Sequence, residues 1–428
     1  MKSYPVYKKS EIRWIGNIPN HWEVIRVKHS DIVIMGQSPN SNDYNLEEIG
    51  LPFLQGNADF TKLHPRPRVW CDTANAIAEK DDVLVSVRAP IGSVNIADQA
   101  YGIGRGLCAI RSNSTLSTLL FYFFIALNVE LNSIGTGSTY TAISVDDVKN
   151  THILKIPLPE QHAIADFIDR KTAQIDSLIE KKQRQIKLLQ EHRTVLINRA
   201  VTKGLNPDVP MKDVDNDWVH TIPENWQFAK VSHFSELRTG GTPRRNVPEY
   251  WEYGTIQWMT SGEVNQKLVY QTRSHITALG LGNSNANVLP ENSVMMALSG
   301  QGKTKATVAI LKTFAACSQS LAAFLCNEER LHYRYLYYYL DRNYKNIRGL
   351  VGDNLRDGLS LSKLRDFRIP IPTITEQHRI ADFLDTKSNQ IDLQMEKITK
   401  QITYWKEYRT TLISAAVTGK IDVHGEGS

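Results

Sequence analysis

Glu160 to Thr202 reads EQHAIADFIDRKTAQIDSLIEKKQRQIKLLQEHRTVLINRAVT, and Glu376 to Thr418 reads EQHRIADFLDTKSNQIDLQMEKITKQITYWKEYRTTLISAAVT. The two blocks lie 216 residues apart, align without a gap and are identical at 24 of 43 positions. A repeat of that length decides the architecture before local propensity is weighed. Neither block contains Gly or Pro, and Lys, Gln, Glu, Leu and Ile dominate, so each predicts one long helix. Apolar residues recur in heptad steps: Ile164, Ile168, Ile175, Ile179, Ile186, Leu189 and Leu196 in the first, Ile380, Leu384, Ile391, Met395, Ile398, Ile402, Trp405 and Leu412 in the second. Both carry a four-residue stutter at the same place. Such a seam needs a partner, and the other helix, with its matched irregularity, is the natural one. At 1.5 Å per residue each helix would be ~60 Å long. Lys171, Lys182 and Arg193 interrupt the seam and read as setters of register. An Ile-Pro-x-Pro run before each block and Gly204 and Gly419 after it read as start and stop signals.

Shorter repeats surround the blocks. Trp14-Ile-Gly-Asn-Ile-Pro-Asn-His-Trp22 returns as Trp218-Val-His-Thr-Ile-Pro-Glu-Asn-Trp226, and Gly36-Gln-Ser-Pro39 as Gly240-Gly-Thr-Pro243. Leu120-Phe-Tyr-Phe-Phe124 returns as Leu336-Tyr-Tyr-Tyr-Leu340. The chain is therefore a globular segment and a helix, written twice. We expect a mixed α+β fold with a pseudo-two-fold internal repeat: two α/β globular modules joined by two long antiparallel helices forming a coiled-coil spacer. The divisions are 1–159, 160–205, 206–375 and 376–428. Strands are expected at 83–87, 94–96, 294–298 and 307–311, buried helices at 119–127 and 331–340, and loops at 36–45, 135–138 and 280–287. The acidic, Pro-containing stretch 206–217 reads as a linker.

The 428 residues, 41% hydrophobic and 22% charged, are long enough for two to four domains and rule out intrinsic disorder. Four cysteines without a CxxC pair argue for a reduced compartment, and no secretory signal or membrane-length apolar run is visible, so a cytoplasmic protein with no membrane partner is expected. The net charge of +5 divides into 0, +3, +3 and −1 over the four divisions. Bulk electrostatics is therefore not the driver of binding; any basic patch must be assembled by folding, from Arg66/Arg68, Arg88/Arg105/Arg111, Arg238/Arg244/Arg245 and Lys303/Lys305.

No catalytic residue and no metal site is expected. Ser299-Gly-Gln-Gly-Lys303-Thr304 resembles the end of a phosphate-binding loop, but Ala297 stands where that loop needs Gly, and a Gly-rich turn exposing Lys303 is the better reading. His162 and His378, repeated at the helix starts, read as packing or hydrogen-bonding residues. The i, i+3 carboxylates Asp166/Asp169 and Asp382/Asp385 read as complements of the helix macrodipole.

Two similar but diverged modules on paired helices suit a target that is symmetric in outline and asymmetric in detail, such as duplex DNA read at two half-sites. In combination, the Trp14–Trp22 and Gly36–Pro39 motifs, the Ile-Pro-x-Pro and Glu-Gln-x-x-Ile-Ala-x-Phe-x-Asp run, Gln-Ile-Asp and the closing Ala-Val-Thr resemble the specificity subunit of a type I restriction-modification system over nearly the whole chain. His220 replaces the Gly of the first copy, and Thr373 to Thr375 extend the approach to the second helix. The resemblance implies two target recognition domains and a conserved helical spacer, without catalytic activity. It implies double-stranded DNA as ligand, recognised at a bipartite asymmetric site. It also implies two modification subunits that carry S-adenosylmethionine and methylate adenine, restriction/translocase subunits joined through them, and no cofactor on this chain. A protein-interaction scaffold without DNA is the alternative.

Base edges need Arg, Lys, Asn or Gln, and phosphates need basic and hydroxyl side chains. The loops rich in these types nominate Gln37, Ser38, Gln55, Asn57, Arg88, Arg105 and Tyr140 in the first module. Thr242, Arg244, Arg245, Thr260, Ser261, Gln301, Lys303 and Lys305 are nominated in the second.

Overall fold

The computed structural model describes residues 2–134, 142–300, 302–350 and 359–424. The chain divides into two compact units, Met1–Gln183 with Thr399–Ser428, and Arg184–Ile398. The division falls inside both long helices, Leu158–Lys203 and Ile374–Val417, so each unit contains half of each.

In the first unit a four-stranded antiparallel sheet has the order Val94–Ile96, Val83–Ser86, Leu107–Ser112, Asp31–Met35. A five-stranded sheet runs Tyr44–Asn45, Val69–Cys71, Leu51–Leu54, Tyr101–Ile103, Ile77–Ala78, and its central pair, Leu51–Leu54 with Tyr101–Ile103, is parallel. The helix Ser117–Ala126 is apolar on every face and buried from Leu119 to Phe124, as a helix without a polar side must be.

The second unit repeats the plan. Ser235–Thr239, Leu321–Cys326, Val294–Ala297, Val308–Leu311 and Leu268–Val269 form one sheet. Ser274–Ile276, Ile256–Met259 and Ala316–Cys317 form another, and the Ile256–Met259 and Ala316–Cys317 strands are again parallel. The helix Tyr333–Arg342 occupies the place of Ser117–Ala126. The four strands and two buried helices expected from the sequence are all present, within two residues. The expected linker is not one: its Met211–Asp213 pairs with Thr221–Pro223, as Tyr7–Lys9 pairs with Asn17–Pro19 in the first unit. A three-residue edge strand buries too little to leave a hydrophobic signature, and its Pro and acidic neighbours imitate a linker.

The helices pack in opposite directions within each unit. In the first, Ile164, Phe167, Ile168 and Ile175 share a core with Leu412, Ile413, Ala416 and Val417, and Asp176 meets Arg409 at 3.2 Å. In the second, Ile197, Ala200 and Val201 share a core with Ile380 and Leu384, and Arg193 pairs with Asp392. The two ion pairs are equivalent across the 216-residue repeat, Asp176 with Asp392 and Arg409 with Arg193. Arg193 thus makes a cross-helix ion pair from its seam position, with Arg409 as its twin. From Ile175 to Ala200, and from Ile391 to Ala416, every seam residue is buried or half-buried.

Repeated motifs fasten helix to module. Trp22 donates its indole N–H to Glu160 at 2.9 Å, and Trp226 to Glu376 at 3.0 Å. Gln161 accepts from the Leu116 amide and donates to the Ser114 and Ile156 carbonyls; Gln377 does the same with His332, Arg330 and Pro372. Gly204 and Gly419 end the helices with φ of +75° and +70°, the left-handed stop foreseen for them, and each abuts a motif tryptophan, Trp226 and Trp22 respectively.

The paired carboxylates have a different role from the one expected. The helices begin at Leu158 and Ile374, so these residues sit two turns in, beyond the reach of the terminal dipole. Asp169 accepts the Tyr122 hydroxyl, and Asp385 the Tyr338 hydroxyl at 2.6 Å. Arg334 bridges Asp385 and Asp382 at 2.5 and 2.8 Å. Burial and the adjoining carboxylate push both phenols above the ordinary tyrosine value. His378, exposed like His162, stacks on the buried His332 with ring centres 4.0 Å apart.

Candidate nucleic-acid interface

In the first unit five nominated residues, Ser38, Gln55, Asn57, Arg88 and Arg105, line one open concavity of about 450 Å³, together with Pro39, Tyr44, Gly56, Ala89 and Gly106. Among the described residues, no acidic side chain lines it. Four loops build it, with Tyr44 beside them: the Gly36–Pro39 turn, the segment after strand Leu51–Leu54, the segment after strand Val83–Ser86 that carries Arg88 and Ala89, and the Gly104-Arg105-Gly106 turn between strands Tyr101–Ile103 and Leu107–Ser112. Backbone hydrogen bonds fix their approach, from Gln37 N to Ile103 O at 2.9 Å, Gly104 N to Leu54 O at 2.8 Å and Leu107 N to Gly104 O at 2.9 Å. Gly36 is required there, because a Cβ would lie 2.1 Å from the Gly104 carbonyl oxygen. The Arg105 amide donates to Ser38 Oγ at 3.4 Å. Burial raises the Tyr44 phenol, and the Arg105 charge acts in the opposite sense. Gln37 is exposed beside the cavity but does not line it. Arg111, grouped by sequence with Arg88 and Arg105, is instead bound to Asp82 and Glu79, both at 2.9 Å. Tyr140 lies outside the described residues.

The second unit reproduces the frame bond for bond. Gly241 N donates to Cys317 O at 2.9 Å, Ser318 N to Met259 O at 3.0 Å and Leu321 N to Ser318 O at 3.2 Å. Gly240 has no room for a Cβ, which would lie 1.8 Å from the Cys317 oxygen. Thr242 takes the place of Ser38, and its hydroxyl donates to Gln319 Oε1. Thr260 and Ser261 follow the strand end where Gln55 and Gly56 stand in the first unit; the Thr260 hydroxyl is engaged with Glu263 at 3.0 Å. Arg244 and Arg245 are exposed, and Arg245 lies over the Trp251 ring at 5.9 Å. Arg238, grouped with them by sequence, is held by Glu236 at 2.7 Å. Lys303 is exposed within turns that lead into strand Val308–Leu311, so no helix follows to complete a phosphate loop. Lys305 is 5% exposed and belongs to the interior, not to the surface assigned to it by sequence. Gln301 lies outside the described residues. Among the described residues, no group of three or more His, Cys, Asp or Glu is placed to hold a metal ion. Among the described residues, no single helix is long and apolar enough to cross a membrane.

The same frame in both units is matched by the comparisons. Residues 19–188 and 223–404 each match the type I restriction modification DNA specificity domain. The chain belongs to that family. Over 200 residues, 46% of its length, this specificity-family chain is 37% identical to the putative type I restriction enzyme MjaX specificity subunit of Methanocaldococcus jannaschii, and it spans about half (45%) of that relative. With the MjaVIII specificity subunit of the same organism it is 23% identical over 425 residues, 95% of this chain and 94% of the other. A chain from structural work on complex assembly and conformational transition of the type I R-M system has the same fold, with a TM-score of 0.75 at 16% identity, over 94% of this chain and 99% of that one.

Sequence reading of this specificity-family member missed Gln319. It occupies the tip of the Ser318–Ser320 turn, the place of Arg105 in the first unit, and it is exposed. The signal is positional: two residues beyond a short strand that pairs in parallel with the strand preceding the nominated loop.

Proposed function

We propose that the chain is the non-catalytic DNA-specificity subunit of a cytoplasmic type I restriction-modification complex, and that each unit reads one half of a bipartite, asymmetric site in double-stranded DNA. The observation that carries this reading is the acid-free concavity of Ser38, Gln55, Asn57, Arg88 and Arg105, built on a loop frame that recurs in the second unit with different side chains at its tips. Guanidinium, amide and hydroxyl groups on fixed turns are the set that reads base edges and phosphates. The paired helices act as the spacer that sets the gap between half-sites. Two modification subunits, which hold S-adenosylmethionine, complete a methylating complex, and restriction/translocase subunits join through them.

Selection from a library of random duplexes by the chain assembled with its modification subunits tests this. A split motif with a fixed unspecified gap is the expected product. Recovery of unselected DNA would overturn the proposal in favour of a protein-interaction scaffold.

A further inference from the structure

Residues 105 and 319 are held alike and differ in chemistry. Each follows a residue whose amide is tied to a strand end, Gly104 to Leu54 and Ser318 to Met259, and each precedes the return strand by one residue. Each lies against the hydroxyl residue of the Gly-x-Ser/Thr-Pro turn, Ser38 for Arg105 and Thr242 for Gln319. Both side chains are exposed. The Arg105 guanidinium makes no ion pair or hydrogen bond to a described residue, and its cavity supplies no carboxylate to occupy it. The Gln319 oxygen accepts one hydrogen bond, which leaves its second lone pair and its amide NH2 to face a ligand. A tip fixed by backbone bonds, whose fork keeps free donors at its end, can approach a base edge with little reorganisation. An arginine fork matches the O6 and N7 acceptors of guanine, and a glutamine amide matches the N6 donor and N7 acceptor of adenine.

We propose that the turn-tip pair, Arg105 in the first unit and Gln319 in the second, sets the base read at one equivalent position in each half-site, guanine by Arg105 and adenine by Gln319. This rests on the DNA-specificity reading above and names the determinant within it.

The experiment maps adenine methylation in cells that carry the full chain with its modification subunits, comparing the unaltered protein with Arg105→Gln, Arg105→Lys and Gln319→Arg. Arg105→Gln is expected to change one position of one half-site, with at least about a tenfold loss of the guanine preference, and to leave the other half-site intact. Gln319→Arg is expected to move one position of the other half-site from adenine towards guanine. Arg105→Lys, which keeps the charge, retains guanine with weaker preference. An unchanged motif in the Arg105→Gln and Gln319→Arg variants would overturn the assignment, and so would uniform loss over all sites with stability unaltered, which marks a phosphate contact. If the unaltered protein yields no split motif, the underlying reading fails instead, so the two failures are distinguishable.

Discussion

The two units agree where side chains bind the protein's own backbone and differ where they face outward. Gln161 and Gln377 make equivalent sets of three hydrogen bonds, Trp22 and Trp226 donate to equivalent glutamates, Glu160 and Glu376, and Gly36 and Gly240 fill equivalent crowded turns. At the turn tip, by contrast, Arg105 stands opposite Gln319. A scaffold that must hold two modules alike keeps these shared internal bonds, and residues outside them are at liberty to change.

The sharpest way to break this comparison is at the buried glutamines. Gln161 is 3% exposed and Gln377 0%, and removing either amide strands three backbone groups. Gln161→Ala and Gln377→Ala are each expected to cost ~3 kcal/mol, measured by denaturant unfolding of the full chain. A large loss from one and none from the other would show that the junctions are not equivalent.

Next come the seam ion pairs. Arg193→Ala and Arg409→Ala should each cost ~1 kcal/mol, because the pairs are only partly shielded from water. Thermal unfolding of the two variants is expected to shift by similar amounts; unequal shifts would assign register to one pair alone. Arg334 sharpens a real asymmetry, since its equivalent in the first unit is Thr118. Arg334→Ala should loosen the second unit by under ~1 kcal/mol, and Thr118→Ala should leave the first unchanged, as read by hydrogen exchange in helices Tyr333–Arg342 and Ser117–Ala126.

The smallest effect is a pH contrast. Ser144 caps helix Val145–Asn150, and the Asp147 carboxylate accepts from the Ser144 hydroxyl at 2.6 Å and from the Ser144 amide at 2.8 Å, which together hold it below the ordinary aspartate value. A depressed carboxylate stabilises the folded form above its unfolded pKa, and that contribution is lost as pH falls through the folded value. Ser360 caps Leu361–Arg365 in the same way, but Lys363 stands where Asp147 does. Acidification below the usual carboxylate range should speed amide exchange at Asp147 more than at Lys363, and Asp147→Asn should remove the difference.

The sequence made the seam legible because burial there is periodic and written twice; even the stutter is shared. It marked the Glu-Gln and Trp motifs as repeated, but not their use, because a buried amide that bonds carbonyls from two other segments has no local pattern. Gln319 was hidden for a related reason. Between Gly36 and the aromatic helix the copies share little sequence, and their equivalence resides in backbone hydrogen bonds that any side chain permits. Arg111 and Arg238 were misgrouped because composition counts cations without showing the carboxylates that fold against them. Lys305 was misplaced because a basic residue two positions from an exposed one reads as exposed.

The central claim is that each unit reads one half of a split DNA site. An adenine-methylation map of cells with the complete system, compared with cells lacking only this chain, tests it most directly. The account predicts a two-part methylated motif with a fixed gap that vanishes when the chain is absent; a methylation pattern that is the same with and without the chain would contradict it.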